Sequence, residues 1–358
     1  MSTVPHPRVE PRSDVALMAG YHSPQADVDV RLNTNESPVP PPDGFLDAVA
    51  AAVGGVDWNR YPDRAANGLR ARIAGLHDVD PGQVFVANGS NEVLQTLTLA
   101  YGGTGRSVAV FEPTYALHSH IARITGTAVA EGERTDDFSL DLDEVRRVLG
   151  ESDPSLTYLC SPNNPTAMVE PPAVVEEVLG LAPGLLVVDE AYAQFAPWSA
   201  RALLDEDTPL VVTRTFSKTW SMAAARLGYL LGPSWVVDEL QKVVLPYHLD
   251  ALKQVAGVVA LDFVDAMEQR VSHLVEERRR LEAALRDLPC QVWPSAANFI
   301  LFRPTGRDGA QVWAELLARS VLVRDYSSWP RLDGCLRVTV GTPDEDDRFL
   351  TALREVLT

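Results

Sequence analysis

Short apolar runs alternate with longer amphipathic stretches from about residue 60 onwards. The runs at residues 84–87, 107–111, 156–160, 185–188 and 210–213 each end in polar or turn residues. This pattern is typical of strands buried on both faces of a mainly parallel sheet, and residues 92–101 and 141–149 are predicted helices between them. The pattern predicts a large α/β domain over residues 59–253.

The pattern changes after residue 253, where one long amphipathic helix is predicted over 254–288. Strands are predicted at 298–302 and 336–340, and helices at 311–319 and 343–357. We therefore predict a smaller α+β domain formed by residues 31–58 and 254–358. Residues 1–30 are predicted to form an arm that packs beside this smaller domain.

The amino-acid composition and net charge indicate which kinds of binding partner and which cellular location to expect. Hydrophobic residues make up 46% and charged residues 22% of the 358 residues, as is usual for globular proteins. No apolar run approaches the ~20 residues that span a bilayer, and the first 14 residues lack the apolar core of a signal peptide. The net charge of −18 disfavours nucleic acid and anionic membranes as partners. We therefore expect a cytoplasmic protein that acts on small molecules.

Polar residues cluster where the predicted strands end. They include Ser90 and Asn91, Tyr115, Asn164, and the Ser217-Lys218 pair. Ligands of open α/β sheets bind at the carboxyl ends of the strands. We therefore expect the functional site at this edge of the large sheet.

These residue types match what pyridoxal 5'-phosphate (PLP) requires of a protein, namely a Schiff-base lysine, a carboxylate for the pyridine nitrogen and a phosphate cradle. Lys218 and Asp189 fit the first two roles. Gly89 precedes a predicted helix start, where backbone N–H groups and the helix dipole favour an anion. Tyr115 can lie on a ring, and Asn164 and Tyr192 can donate to the ring oxygen.

Six segments carry a resemblance to a known family. They are Arg60-Tyr61-Pro62, Ser161-Pro162-Asn163-Asn164-Pro165-Thr166, Asp189-Glu190-Ala191-Tyr192, Thr215-Phe216-Ser217-Lys218-Thr219, Leu32-Asn33-Thr34-Asn35-Glu36-Ser37-Pro38, and Cys335-Leu336-Arg337-Val338-Thr339-Val340-Gly341. In this order the chain resembles the histidinol-phosphate aminotransferases, which are fold-type I, class II PLP enzymes. The resemblance runs from about Tyr21 to the C-terminus.

The resemblance implies a role for each matching position. Lys218 would form the Schiff base and serve as general base, Asp189 would face the pyridine nitrogen, and Tyr115 would stack on the ring. Asn164 and Tyr192 would contact the phenolic oxygen. The cofactor phosphate would be held by Ser90, Asn91, Ser217, Arg226 and, from the neighbouring subunit of a homodimer, Tyr61. Arg337 would pair with a substrate carboxylate or with the acceptor keto acid, and Arg324 and Tyr21 would meet the phosphate of the substrate.

Two positions depart from the family pattern. Ala167 and Ala224 stand where relatives usually have glycine. Alanine replaces glycine without strain only where the backbone φ is negative. We therefore expect small differences in these two loops.

The implied reaction is amino transfer from L-histidinol phosphate to 2-oxoglutarate, giving imidazole acetol phosphate and L-glutamate. An aromatic (phenylalanine) aminotransferase on the same scaffold is the main alternative, and Arg324 would then be a rim residue. A decarboxylase of phosphate-bearing amino acids and a non-catalytic PLP-fold regulator are the other hypotheses. His118 and His120 lack the partners of a metal site, so no metal is predicted, and the three cysteines are predicted to be free thiols.

Overall fold

The computed structural model of the chain describes residues 9–16, 18, 20 and 25–358. Its strands, in chain order, are β1 (Val30–Leu32), β2 (Val84–Ala87), β3 (Ser107–Glu112), β4 (Ala128–Glu133), β5 (Leu156–Cys160), β6 (Leu185–Asp189), β7 (Leu210–Thr215), β8 (Gly228–Leu231), β9 (Cys290–Val292), β10 (Phe299–Pro304), β11 (Val321–Asp325) and β12 (Leu336–Thr339). Its α-helices are α1 (Ser13–Ala16), α2 (Phe45–Val53), α3 (Asn67–His77), α4 (Ser90–Tyr101), α5 (Leu117–Ile124), α6 (Leu142–Ser152), α7 (Pro172–Leu181), α8 (Ser234–Val243), α9 (Ala251–Ala260), α10 (Val264–Arg286), α11 (Gly309–Ala318) and α12 (Pro343–Leu357).

Seven of the described strands form the larger sheet, in the order β2-β8-β7-β6-β5-β3-β4. Strands β3 to β7 pair in parallel, and only β8 pairs antiparallel with its neighbours β2 and β7. The predicted α/β class with a mainly parallel sheet is confirmed. All five apolar runs identified in the sequence are strands of this sheet.

Helices cover both faces of the larger sheet, which explains why its strands are apolar throughout. Leu94 and Leu97 of α4 pack with Val236 and Val237 of α8 on one face. On the other face, side chains of α6 and α7, among them Val148, pack against β5, β6 and β7. Each fully buried aliphatic side chain of this kind contributes about 1.5–3 kcal/mol relative to exposure.

The smaller sheet has the order β1-β11-β12-β10-β9 within the described residues, with β1 and β11 parallel and the other pairs antiparallel. Phe299 and Phe302 of β10 pack against α10 and α12. Helix α12 has the predicted bounds because Thr342 and Glu345 form a capping box and Pro343 is the first helical residue.

The prediction of one helix over 254–288 is wrong, because α9 ends at Ala260 and α10 begins at Val264. The tight turn between them lets Asp262 pair with Arg72 at 2.6 Å, and lets Phe263 pack edge-on against Phe45. Both helices are amphipathic, so the hydrophobic pattern runs on from α9 into α10 and does not mark the break. The contacts of Asp262 and Phe263 accompany the break in the folded chain. Strands β1, β4, β8, β9 and β11 were not predicted, since they are short or, like β4, partly exposed.

The predicted packing of the N-terminal arm holds only for its last residues. Near its start, Arg12 Nη2 donates to Ile124 O at the end of α5, which belongs to the larger sheet's side of the fold. From Asp29 onwards the chain bonds to Ser320 and joins the smaller sheet. The domain bounds themselves stay a prediction, and α9 spans the proposed boundary at residues 253 and 254. None of the helices in the described part of the chain is long and apolar enough to cross a membrane.

Candidate active site

A cavity of about 210 Å³ lies where β5, β6 and β7 end and the smaller sheet approaches them. Its walls come from three parts of the chain: the segment after β1, the strand ends of the larger sheet, and β11 and β12. The residues that line it include Asn33, Thr34, Asn35, Ser90, Asn91, Tyr115, Asn164, Asp189, Tyr192, Ser217, Lys218, Arg226, Arg324, Tyr326, Trp329 and Arg337. The cavity therefore brings together residues that lie far apart in the sequence.

Lys218 follows β7 and extends its ammonium group into this cavity, where Nζ donates to Thr34 O at 3.0 Å. Burial and, to a smaller extent, the positive charge of Arg337 lower the pKa of Lys218 to about 7, while Glu36 opposes the shift. An amine with this pKa is partly uncharged at neutral pH, so it can act as a nucleophile or as a base.

Asp189 ends β6 with only 1% of its surface exposed. Three groups hold its carboxylate at 3.2 Å: His118 Nε2 lies beside Oδ2, while the Thr213 hydroxyl and the Ala191 N–H donate to Oδ1. The His118 ring is itself stacked on Tyr158, with centroids 4.9 Å apart. The carboxylate is thus fixed in one orientation at the cavity wall.

Two polar side chains that were predicted to bind a ring oxygen face the cavity from different elements. Tyr192 OH accepts a hydrogen bond from Asn35 Nδ2 at 3.0 Å, and Asn164 Oδ1 accepts one from Arg337 Nη1 at 2.5 Å. Burial raises the pKa of Tyr192, although Arg337 opposes the shift. The phenol therefore keeps its proton and can donate it to a ligand.

The start of α4 forms a concave anion site. Gly89 has φ +83°, and a Cβ there would lie 2.9 Å from Arg226 Nη2. A Cβ on Gly228 would lie 2.3 Å from Ser90 N. Both positions therefore need glycine, and Ser217 Oγ accepts a hydrogen bond from Arg226 Nη1 at 3.1 Å. Backbone N–H groups at a helix start, two hydroxyls and a guanidinium make a donor set that fits a phosphate.

Next to this anion site, Tyr115 and Asn91 form one wall of the cavity. The Tyr115 hydroxyl donates to Asn91 Oδ1 at 3.1 Å. The Tyr115 ring meets the edge of His118 at 87° with centroids 5.4 Å apart. This contact limits rotation of the Tyr115 ring, as a stacking surface requires.

Arg324 and Arg337 are directly opposite each other in the β11–β12 ladder, so their side chains leave the same face of the smaller sheet. Like charges in this position repel each other. The Tyr326 ring lies 5.7 Å from the Arg324 guanidinium carbon and 5.4 Å from that of Arg337. Arg337 forms no salt bridge with any residue that the structure describes, and its buried Nε has no hydrogen-bond partner there. The pair is suited to an anionic ligand.

One predicted site residue, Tyr61, does not line the cavity of this chain. Tyr61 is 79% exposed and stacks on Tyr247, with ring centroids 4.4 Å apart. Tyr21 lies outside the described residues. Among the residues that are described, no group of three or more His, Cys, Asp or Glu side chains could hold a metal ion.

Comparison with known proteins agrees with this arrangement. The family described as aminotransferase class I and II matches residues 28–353. A histidinol-phosphate aminotransferase from Frankia casuarinae is 44% identical over an alignment of 365 positions, which covers 97% of this chain and 90% of that protein. Another from Corynebacterium diphtheriae is 40% identical, with 96% of both chains covered. The chain belongs to the histidinol-phosphate aminotransferase family.

The fold is also that of the family. The crystal structure of the histidinol-phosphate aminotransferase from Sinorhizobium meliloti, in complex with pyridoxal-5'-phosphate, superposes with a TM-score of 0.88. The two chains are 23% identical, and 97% of each is covered. This similarity confirms that the chain has the predicted fold-type I fold.

The two alanines at positions where the family usually has glycine behave differently. Ala224 lies in a short 3-10 helix, Ala223–Ala225, and its φ is not positive. Ala167 has φ +64° and is fully buried. Its N–H donates to Asn163 O at 2.7 Å and its carbonyl accepts from Ala296 N at 2.8 Å. Ala167 therefore adopts the left-handed conformation itself, whereas Ala224 does not.

Sequence analysis assigned no role to His118 or Asn35. His118 was considered only as a metal ligand, but it contacts Asp189. It follows Tyr115 by three residues, and its backbone N–H donates to the Tyr115 carbonyl at 2.9 Å, but no sequence pattern links it to Asp189. Asn35 lies within a motif used for the resemblance, but no pattern links it to Tyr192, which is 157 residues away.

Proposed function

We propose that the protein is a PLP-dependent transaminase that transfers the amino group of L-histidinol phosphate to 2-oxoglutarate in histidine biosynthesis. The products are imidazole acetol phosphate and L-glutamate. The main support from the structure is the Arg324–Arg337 pair, which faces the cavity that holds Lys218. Relatives that are 40–44% identical over nearly the full chain are histidinol-phosphate aminotransferases.

The donor set fits PLP. Ser90, Asn91, Ser217 and Arg226 would hold the phosphate, Asp189 the pyridine nitrogen, and Asn164 and Tyr192 the phenolic oxygen. Tyr115 would lie against the ring. When bound, PLP supplies an electron sink for the negative charge that forms on the substrate carbon. The buried Asp189 would keep the pyridine nitrogen protonated, which that function requires.

Lys218 would hold the cofactor between reaction cycles and, once released, move a proton. Its amine is partly uncharged near pH 7, so it can accept the α-proton of the substrate and later return a proton to the reacting atoms. Thr34 O, which accepts from Nζ, limits where the free amine can move.

Arg324 would bind the phosphate of the donor, together with Tyr21. Arg337 would bind the carboxylate of 2-oxoglutarate, since a guanidinium pairs with a carboxylate through two parallel hydrogen bonds. An anion between the two arginines would also relieve their mutual repulsion. The same site therefore suits both the donor and the acceptor.

An aromatic aminotransferase is the alternative function. Tyr115, Tyr326 and Trp329 line the cavity, and Tyr326 and Trp329 meet edge-on with centroids 5.1 Å apart. This aromatic surface could receive a phenyl ring, with Arg337 binding the carboxylate of phenylalanine.

The proposal includes a homodimer in which Tyr61 reaches the partner's cofactor phosphate. In support, Trp58, Tyr61 and Leu245 are all more than 70% exposed, which is unusual for large apolar side chains. We also propose that the enzyme acts in the cytoplasm. Its three cysteines are free thiols, as is usual in a reducing compartment.

A single-turnover absorbance measurement tests the donor. The PLP-loaded protein is mixed separately with histidinol phosphate and with phenylalanine, and loss of the lysine-bound cofactor band is followed. We expect loss with histidinol phosphate at least tenfold faster, because only that donor fills the arginine site with a phosphate.

Lys218→Ala is the control, and it should bind the cofactor without forming the lysine-bound band or turning over. Comparable or faster loss with phenylalanine would make the enzyme an aromatic aminotransferase. Turnover by the Lys218→Ala variant would contradict the whole assignment.

A further inference from the structure

One buried arginine of α10 connects two separate parts of the fold. Arg278 Nη1 donates to Ala297 O at 2.9 Å and to Phe195 O at 3.3 Å. Phe195 is three residues after Tyr192, in the turn that follows β6 of the larger sheet. Ala297 directly precedes Asn298 and the start of β10 in the smaller sheet. Arg278 therefore bonds to the backbone on both sides of the junction between the two sheets.

The burial of Arg278 is energetically unusual. The residue is only 8% exposed, and it forms no salt bridge with any described residue. Burial lowers the pKa of its guanidinium. A buried charge is costly unless hydrogen bonds compensate for it. The two carbonyls supply that compensation at Nη1, while the buried Nε has no hydrogen-bond partner among the described residues. The bonds to Ala297 and Phe195 are therefore the hydrogen bonds that hold the guanidinium in place.

Both carbonyls are connected to Tyr192, one through hydrogen bonds and the other through the backbone. On the side of the smaller sheet, Asn298 Nδ2 donates to Asn35 O at 3.2 Å, and Asn35 Nδ2 donates to Tyr192 OH at 3.0 Å. On the other side, the Phe195 carbonyl belongs to the short helix that begins next to Tyr192. Together with the backbone, these bonds form a closed ring that starts and ends at Tyr192 and passes through Arg278.

The ring also determines what the Tyr192 hydroxyl can do. Because its oxygen accepts from Asn35, its own proton remains to be donated. The Tyr192 ring is held edge-on against Phe299 of β10, with centroids 5.0 Å apart. The direction of the donated proton therefore depends on how the segments around Phe195 and Asn298 sit relative to each other.

We propose that Arg278 is a positioning residue that aims the Tyr192 hydroxyl at the phenolic oxygen of the cofactor. It does so from outside the cavity, by holding the Phe195 and Ala297 carbonyls at one separation. The inference rests on the proposed function, since it assumes that PLP binds at Lys218 and that Tyr192 donates to it.

The test is a pH titration of the visible absorption of the cofactor bound to Lys218. It compares the wild type, Tyr192→Phe, Arg278→Met and the double variant. A hydrogen bond to the ionised phenolic oxygen favours the deprotonated form of the bound cofactor. Tyr192→Phe should therefore raise the titration midpoint by about 1 pH unit, the size expected for one hydrogen bond to a charged group.

Arg278→Met should shift the midpoint in the same direction, and the double variant should titrate like Tyr192→Phe alone. Non-additivity of this kind indicates that the two residues act through one contact. A wild-type midpoint for Arg278→Met, or shifts that add in the double variant, would overturn the positioning role. A general loss of stability would not by itself produce the non-additive pattern.

Arg279→Met is the matched control, because Arg279 is the exposed neighbour on the same helix, and its midpoint should equal that of the wild type. If Arg278→Met does not fold, Arg278→Lys decides the question. Lysine keeps the charge, but its rotating ammonium group on a flexible stem does not fix the two carbonyls in the directions set by the planar guanidinium, so its midpoint should also rise, and an unchanged midpoint would refute the proposal. Absence of the visible band in the wild type would contradict the proposed function instead.

Discussion

At the residue scale, neighbouring groups either shift the pKa of an ionisable side chain in the cavity or hold that side chain in one position. Lys218 is surrounded by Arg337 and Arg226, whose charges add to the effect of burial on its pKa. Asp189 is held by three neighbours within hydrogen-bonding distance, among them His118. Tyr192 is kept neutral by burial. The resting chemistry of the site therefore depends on groups that do not themselves react.

The lowered pKa of Lys218 leads to a pH prediction. In the cofactor-free protein its amine is charged below about pH 7 and neutral above it, and only the neutral amine attacks the aldehyde of PLP. The rate of cofactor capture should therefore rise through about pH 7 and then level off. Stopped-flow absorbance measures this rate.

Arg337→Met should move that midpoint upward, because it removes a positive charge that disfavours the ammonium form. Arg319→Met, which alters an exposed pair with Glu355, should leave it unchanged. A wild-type midpoint near 10, the range of an exposed lysine, would contradict the prediction.

At the scale of single elements, the loop between β5 and α7 and the helix α10 hold the strand ends in place. In the loop, the Asn163 side chain accepts from Thr114 and donates to Pro113 O and Thr166, which ties the loop to the end of β3. On α10, Arg270 donates to Thr219 O, next to Lys218. Arg278, eight residues further along the same helix, donates to Phe195 O near Tyr192. These contacts come from outside the cavity but decide the geometry inside it.

Ala167 provides a stability prediction for this loop. Glycine would relieve about 1–2 kcal/mol of left-handed strain, but it would lose a buried methyl group worth about 0.8 kcal/mol and cost about 0.5–1 kcal/mol in backbone entropy. Ala167→Gly should therefore change the free energy of unfolding by less than about 1 kcal/mol. Chemical denaturation monitored by circular dichroism measures the change.

Ala109→Gly is the matched control, since Ala109 is equally buried in β3 but has no positive φ. It should destabilise by about 1–2 kcal/mol, the sum of the methyl and entropy losses. Equal losses for the two variants would show that Ala167 is not strained.

At the scale of the whole molecule, the cavity exists only because two sheets meet. The larger sheet contributes Asp189 and Lys218, and the smaller one contributes Arg324 and Arg337. On the surface, Tyr61 stacks on Tyr247, and Trp58 and Leu245, which lie within three residues of them in the sequence, are also exposed. We call these four side chains the exposed apolar patch. The proposed dimer would cover this patch and bring Tyr61 to the partner's phosphate site.

The dimer prediction is tested by sedimentation and by cofactor titration. The wild type should sediment as a dimer, and the double variant Trp58→Ser with Leu245→Ser should shift towards monomer because burial of the patch is lost. The affinity of the double variant for PLP should fall about tenfold, because a monomer lacks the hydrogen bond that Tyr61 of a second subunit would donate to the cofactor phosphate.

Trp235→Ser is the control, because Trp235 is exposed at the opposite, amino end of the large sheet's strands, and it should not alter the assembly. A monomeric wild type that still binds PLP tightly would contradict both the dimer and the role of Tyr61.

The sequence by itself determined the mainly parallel sheet, the bounds of α12, the family, and the placement of Lys218 and Asp189 at the strand ends that line the cavity. Each of these is encoded by local patterns: apolar runs, a capping box, and motifs a few residues long. Only the tertiary structure decided the break between α9 and α10, the left-handed Ala167, and the contacts of His118, Asn35 and Arg278. These depend on which segments meet in space, and hydrogen bonds between residues tens to hundreds of positions apart leave no periodic signal in one sequence.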